Sequence, residues 1–231
     1  MFTGPAQDSR SWHSSDEEAR RMCRCSVMAD LQQLPAQPRA SAPWRRDRRD
    51  ELRAAGHQHV RSVLTSQPAP TTAWHALPGG IDHLVVSPGG VFVVMDVCVP
   101  NQWAMVLGDS VVIGGLESDL IKRADRHADW VAGRMAQAAG LSLTVRSLIV
   151  FTHYRRLAVR QSPSRACVLS TTGLAEWLHR RAPVLSALQM AEVTSAAWRA
   201  ETWGVDEWPR SQPMPNQRAG WYQRLTTRQA D

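Results

Sequence analysis

Residues 80–98 read Gly-Ile-Asp-His-Leu-Val-Val-Ser-Pro-Gly-Gly-Val-Phe-Val-Val-Met-Asp-Val-Cys. Two apolar runs flank a Ser-Pro-Gly-Gly turn signal, which predicts a β-hairpin over 81–86 and 91–99. The second strand is apolar on both faces, with Phe92 and Val94 on one and Val91, Val93 and Met95 on the other. Such a strand belongs at the centre of a sheet covered on both sides. Each strand also carries one acid, Asp82 and Asp96. An acid in a buried strand is costly unless something binds it. If Pro88, Gly89 and Gly90 form a three-residue loop, Ser87 stands opposite Val91 and Asp82 opposite Asp96. Gly90 then supplies the positive φ that such a loop needs at its end. In that register both acids share a face with Leu84, Val86, Phe92, Val94 and Cys98.

Upstream, the spacing of Leu52, Ala55, Val60, Val63 and Leu64 predicts a helix from 44 or 45 to 64. Its mixed-charge first turns, 45–51, read as a solvated face. Gln67-Pro68-Ala69-Pro70 stops it, and a short strand follows over 72–76. Downstream, 103–107 and 110–113 read as a second hairpin joined by Gly108-Asp109. A long helix is predicted over 117–139, with Leu120, Ala124, Ala128, Val131 and Met135 as its buried stripe and Gly140 as its stop. Strands follow over 145–151 and 166–169. Ser170-Thr171-Thr172 caps a helix to His179, and a last helix covers 184–199. This order predicts an α/β fold, a mixed sheet flanked by helices, in one domain over 44–200. Residues 1–43 read as a disordered arm, within which Met28 is an alternative start. The 201–231 tail reads as loose, and Trp203, Trp208 and Trp221 are its candidates to dock on the domain.

The 231 residues carry a net charge of +6 and a pI near 9.9, which permits nucleic-acid binding without demanding it. Lys122 is the only lysine. Compositional bias accounts for an arginine excess of this kind, and phosphate recognition by guanidinium forks is the functional alternative. Cys23, Cys25, Cys98 and Cys167 form neither a disulfide framework nor a zinc pattern. Together with a polar, acidic N-terminus unlike a signal peptide, this places the expectation in the cytoplasm. The longest apolar run, 91–95, is too short for a membrane span.

The strand Ile81-Asp82-His83-Leu84-Val85-Val86, the turn and strand Pro88-Gly89-Gly90-Val91-Phe92-Val93-Val94, and the later Leu148-Ile149-Val150-Phe151 strand resemble the nuclease-related (NERD) domain over roughly 45–200. The resemblance implies a restriction-endonuclease-like PD-(D/E)XK fold, a role in DNA processing, and Mg2+ held by Asp82 and Asp96 as catalytic acids. Two positions depart from the family pattern. Cys98 stands where the family has its catalytic lysine, and His57 follows Gly56 where it has a helix-borne acid. Lys122 does not replace the lysine, because it lies about 150° from the centre of its helix's buried stripe. The expectation is therefore a degenerate site with little nuclease activity. The alternative is an inactive protein-interaction scaffold on the same fold.

Other residues carry weaker expectations. His83 reads as a hydrogen-bonded packing histidine on the face opposite Asp82. His57 and His59 could join Asp82, Asp96 and Cys98 in a soft transition-metal site. Cys98 as a nucleophile has no evident partner and reads as a small buried apolar residue. Arg155, Arg156, Arg160 and Arg165 form a basic loop between two strands and are the candidates for DNA-backbone contact.

Overall fold

The computed structural model of the chain describes residues 43–205. The N-terminal arm with Met28, Cys23 and Cys25, and the segment carrying Trp208 and Trp221, lie outside the described residues. Helix α1 (Pro43–Thr65) leads into β1 (Thr72–Leu77), β2 (Ile81–Ser87) and β3 (Gly90–Cys98). Strands β4 (Trp103–Leu107), β5 (Ser110–Ile113) and β6 (Leu116–Ser118) precede helix α2 (Leu120–Ala139). Then come β7 (Val145–Thr152), β8 (Arg156–Gln161), β9 (Cys167–Ser170), α3 (Thr171–His179) and α4 (Ala187–Trp198). The protein is thus α/β, with mixed sheets flanked by helices.

The main sheet runs β1-β2-β3-β7-β9. Strands β1, β2 and β3 pair antiparallel, while β7 lies parallel to both β3 and β9. Strand β3 is central, as its two apolar faces require. Val85, Phe92, Val94, Leu148 and Val150 pack with Val60 and Leu64 of α1 and with Leu174 and Trp177 of α3. Leu84, Val86, Val91 and Val93 pack on the other face with Val131 and Met135 of α2 and Val193 of α4. Alternation along each strand feeds these two cores. Gly140, at φ 67°, ends α2 as a left-handed cap.

The β2–β3 register departs from the expected one. Ser87 pairs with Gly90 and His83 with Val94, so the loop is the two residues Pro88 and Gly89. Tertiary contacts hold this tighter turn. The Pro88 carbonyl accepts from the N–H groups of Val184 and Leu185, at 2.8 and 3.1 Å. A Cβ on Gly89 would lie 2.4 Å from Arg181 Cβ. Because side chains alternate, the one-residue change divides the expected set. Asp96 joins Val94 and Phe92 on the α1 face, and Asp82 joins Leu84 and Val86 on the α2 face.

Three further segments differ from the expected ones. Residues 117 and 118 belong to β6 and not to the long helix, because Gly114 and Gly115, at φ 57° and 89°, turn the chain back onto β5. The supposed basic loop after β7 contains β8, which lies parallel to β4 in a second sheet ordered β6-β5-β4-β8. Leu157 and Val159 of β8 pack on a core with Val106, Val111, Ile121 and Phe151, an alternation hidden by the flanking arginines. The tail after 200 begins with a 3-10 turn (Ala200–Trp203), and Trp203 is buried. Its indole N–H donates to the Ala197 carbonyl at 2.9 Å, and its ring lies 5.8 Å from that of Trp130.

Gly56 sets how closely α1 approaches the sheet. A Cβ there would lie 2.4 Å from Thr152 Oγ1 and 3.1 Å from Thr152 Cβ. Gly56→Ala should therefore destabilise the fold by about 1–3 kcal/mol, although alanine is the better helix former by about 1 kcal/mol. Urea titration measures this, and adding Thr152→Ala should recover part of the loss. A more stable Gly56→Ala protein would mean that α1 sits farther from β7.

Candidate metal centre

Close approach of α1 brings His57 over the end of β3. His75 and His83 are direct cross-strand partners on β1 and β2, so their side chains share the face toward α1 with Asp96. The imidazole of His57 stacks on that of His83, with ring centroids 4.7 Å apart and an interplanar angle of 22°. His57 Nδ1 lies 3.1 Å from Asp96 Oδ2. One donor atom each from His57, His83 and Asp96 lies within 4.8 Å of the others. His83 is fully enclosed at 0% exposure, whereas the His57 and Asp96 side chains retain 34% and 10%. The cluster is therefore open to solvent mainly on the His57 side, slightly at Asp96 and not at His83.

The hydrogen bonds around His83 assign its tautomer. Thr65 Oγ1 donates to the Arg61 carbonyl at 2.8 Å, which leaves the hydroxyl oxygen to accept from His75 Nε2 at 3.2 Å. With its proton on Nε2, His75 offers a lone pair at Nδ1, and His83 Nδ1–H donates to it at 2.8 Å. His83 Nε2 is then a bare lone pair. That atom is buried and has no hydrogen-bond partner. A buried acceptor without a partner is a cost of about 1–3 kcal/mol unless a ligand takes it up. Burial first, then the charges of Arg61 and His57, lowers the His75 pKa to about 4. Burial likewise holds His83 neutral.

Asp82 occupies a different place. Its Oδ2 accepts the backbone N–H of Asp96 at 3.2 Å, so the carboxylate caps the strand edge where the β2–β3 ladder has ended. Burial raises the Asp82 pKa to about 7, with the Asp96 charge as the next cause and Arg123 opposing. The two acids lie on opposite faces of the β2–β3 pair, yet the Asp96 charge still bears on Asp82. They do not fit Mg2+, which takes near-octahedral oxygen ligands. One carboxylate is committed to a backbone N–H, and the other faces two imidazoles.

The remaining expected residues lie apart. Cys98 is half-buried, and its Sγ lies 3.9 Å from His153 Nδ1. Lys122 is exposed on α2, as its angle predicts. Arg123, whose charge opposes the rise in the Asp82 pKa, has its guanidinium 3.8 Å from Met95 Sδ. His59 is exposed beside a cleft lined by Phe151, His153, Tyr154 and Thr171, and it is not among the clustered donors. The four arginines do not form one loop. Arg156 and Arg160 stand on β8, the Arg155 N–H donates to Gln102, and Arg165 pairs with Asp129 of α2.

Comparison of the chain with protein-family models, curated proteins and solved structures finds no match. The resemblance stated above therefore rests on its motif residues. His83 is the buried, hydrogen-bonded histidine that the sequence predicts, and His75 is the site residue that sequence reasoning missed. The available signal was the Pro78-Gly79-Gly80 turn, which sets the two histidines opposite each other once 72–77 and 81–87 are read as paired strands.

Proposed function

We propose that this chain is a nuclease-related protein of the NERD type that acts on DNA as a binder, with a degenerate nuclease site. What supports the reading is the hairpin β2–β3 followed by α2 and a parallel β7, with Asp82 and Asp96 on the two hairpin strands and Cys98 in place of a lysine. No cation stands at position 98 to hold a hydroxide or offset charge on the phosphorane. The purified protein should accordingly show little Mg2+-dependent DNA cleavage. It should bind DNA without sequence preference and with an affinity that falls steeply between two salt concentrations. Absence of binding at low salt would end this reading. Robust cleavage abolished by Asp96→Ala would end the degeneracy.

A second reading is an inactive protein-interaction scaffold. The observation that favours it is the scatter of Arg155, Arg156, Arg160 and Arg165, with Arg165 already engaged by Asp129. Scattered cations make a weak phosphate-tracking surface. The same binding titration separates the two readings.

A further inference from the structure

We propose that His57, His83 and Asp96 form a binding site for a divalent ion of the zinc class, with His75 as the residue that orients His83. The inference stands apart from the DNA reading, because it uses the cluster alone.

Three observations carry it. The first is convergence: two imidazoles and a carboxylate place their donor atoms within 4.8 Å of one another. Imidazole and carboxylate together suit Zn2+ and its neighbours, and three protein ligands leave the fourth position open. The second is the lone pair on His83 Nε2, buried and unpartnered, which an ion would satisfy. The third is the relay behind it. Metal-bound histidines commonly donate their other ring N–H to a fixed acceptor, which sets ring orientation and tautomer. Here His83 Nδ1 bonds His75 Nδ1 at 2.8 Å, and His75 is in turn fixed by Thr65.

The arrangement also shows how an ion would enter. His83 cannot move, being enclosed between β1, β3 and α1. His57 is the exposed member and now hydrogen-bonds Asp96. Nearly parallel stacked rings point their in-plane lone pairs side by side, so His57 must tilt out of its stack to close on an ion shared with His83. The same motion exchanges its contact with Asp96 for a common ligand. Position 57, where the resembled family carries an acid, thus changes the donor set from oxygen toward nitrogen.

The test is a titration of the reduced, chelator-stripped full chain with cobalt(II), followed by zinc and by magnesium. One cobalt ion per chain should bind and show the visible ligand-field bands of a low-coordinate nitrogen and oxygen site. One equivalent of zinc should bleach them, and a large excess of Mg2+ should not. Loss of an outer partner typically weakens a metal site by about 10–100-fold, and His75→Phe should fall in that range. His57→Ala, which removes a ligand, and Asp96→Asn, which removes a ligand's charge, should both weaken binding, and His57→Ala should do so more than His75→Phe. His57 is half-exposed and Asn is isosteric with Asp, so circular dichroism should show both variants folded. The proposal is overturned if the folded wild type binds no cobalt or zinc, or if affinity is unchanged in both ligand variants. A thiolate-to-cobalt charge-transfer band would also overturn it, since that would place the ion on cysteine.

Discussion

Asp82→Asn should make the metal-free protein more stable than the wild type above pH 7 and lose that advantage as the pH falls toward 4. Asp82 has a folded pKa raised to about 7, first by burial and then by Asp96. In the unfolded chain the same carboxyl ionises near its ordinary value of about 3.9. Between these values the folded state binds the proton and the unfolded state does not. The wild type therefore loses stability from this group as the pH rises through that window, and the loss is complete above pH 7. Asparagine has no such transition, and its carbonyl can still accept the Asp96 N–H. The difference in unfolding free energy between the two proteins should change by about 2–4 kcal/mol between pH 4 and pH 8. Urea titrations at several pH values in a chelating buffer measure it. His75 and His83 act in the opposite direction. Their folded pKa values are depressed, so stability from them is lost as the pH falls below the unfolded imidazole value. Comparison with the variant largely cancels that contribution. A difference independent of pH would mean that Asp82 is ionised and solvated.

Phe151→Ala is the second large effect. Phe151 is fully buried near the end of β7 and touches a core shared by the two sheets and α2. Removing a ring from such a position costs about 3–5 kcal/mol, through lost transfer energy and the cavity left behind. Against a total stability of about 5–15 kcal/mol this is a large share of the margin. Phe151→Leu keeps most of the volume and should cost about 1.5 kcal/mol or less. The midpoint in urea reads both. Similar losses for the two variants would indicate that shape outweighs volume at this position.

Most of the main sheet was legible because its pattern is strong. Residues 81–99 are nearly all apolar around a turn signal, and α2 carries an unbroken stripe ended by Gly140. The second sheet was only half legible. Its hairpin 103–113 has a Gly-Asp turn, but β8 has arginine at both ends of a short Leu-Ala-Val core, and charge obscured the period. The site failed on a single residue of loop length. Gly90 does have a positive φ, at 129°, yet it pairs with Ser87 because segment 181–185 grips Pro88 and Gly89. Nothing local records that grip. The step from a three- to a two-residue loop moved Asp82 to the α2 face and left Asp96 beside His83 and His57. A reading of His83 as a packing histidine follows naturally when its neighbour across the strand is unknown. The pairing of His75 with His83 supplies that neighbour.

The two-residue loop puts the hairpin acids on opposite faces of the sheet, and the proposed metal site is accordingly His57, His83 and Asp96 without Asp82. The most direct measurement is anomalous diffraction at the zinc edge from crystals of the full chain grown with zinc. An anomalous peak is expected bounded by these three side chains, with Asp82 outside the coordination sphere and its carboxylate on the Asp96 N–H. A peak shared by Asp82 and Asp96 without the histidines, or no peak in this cluster, would contradict this site.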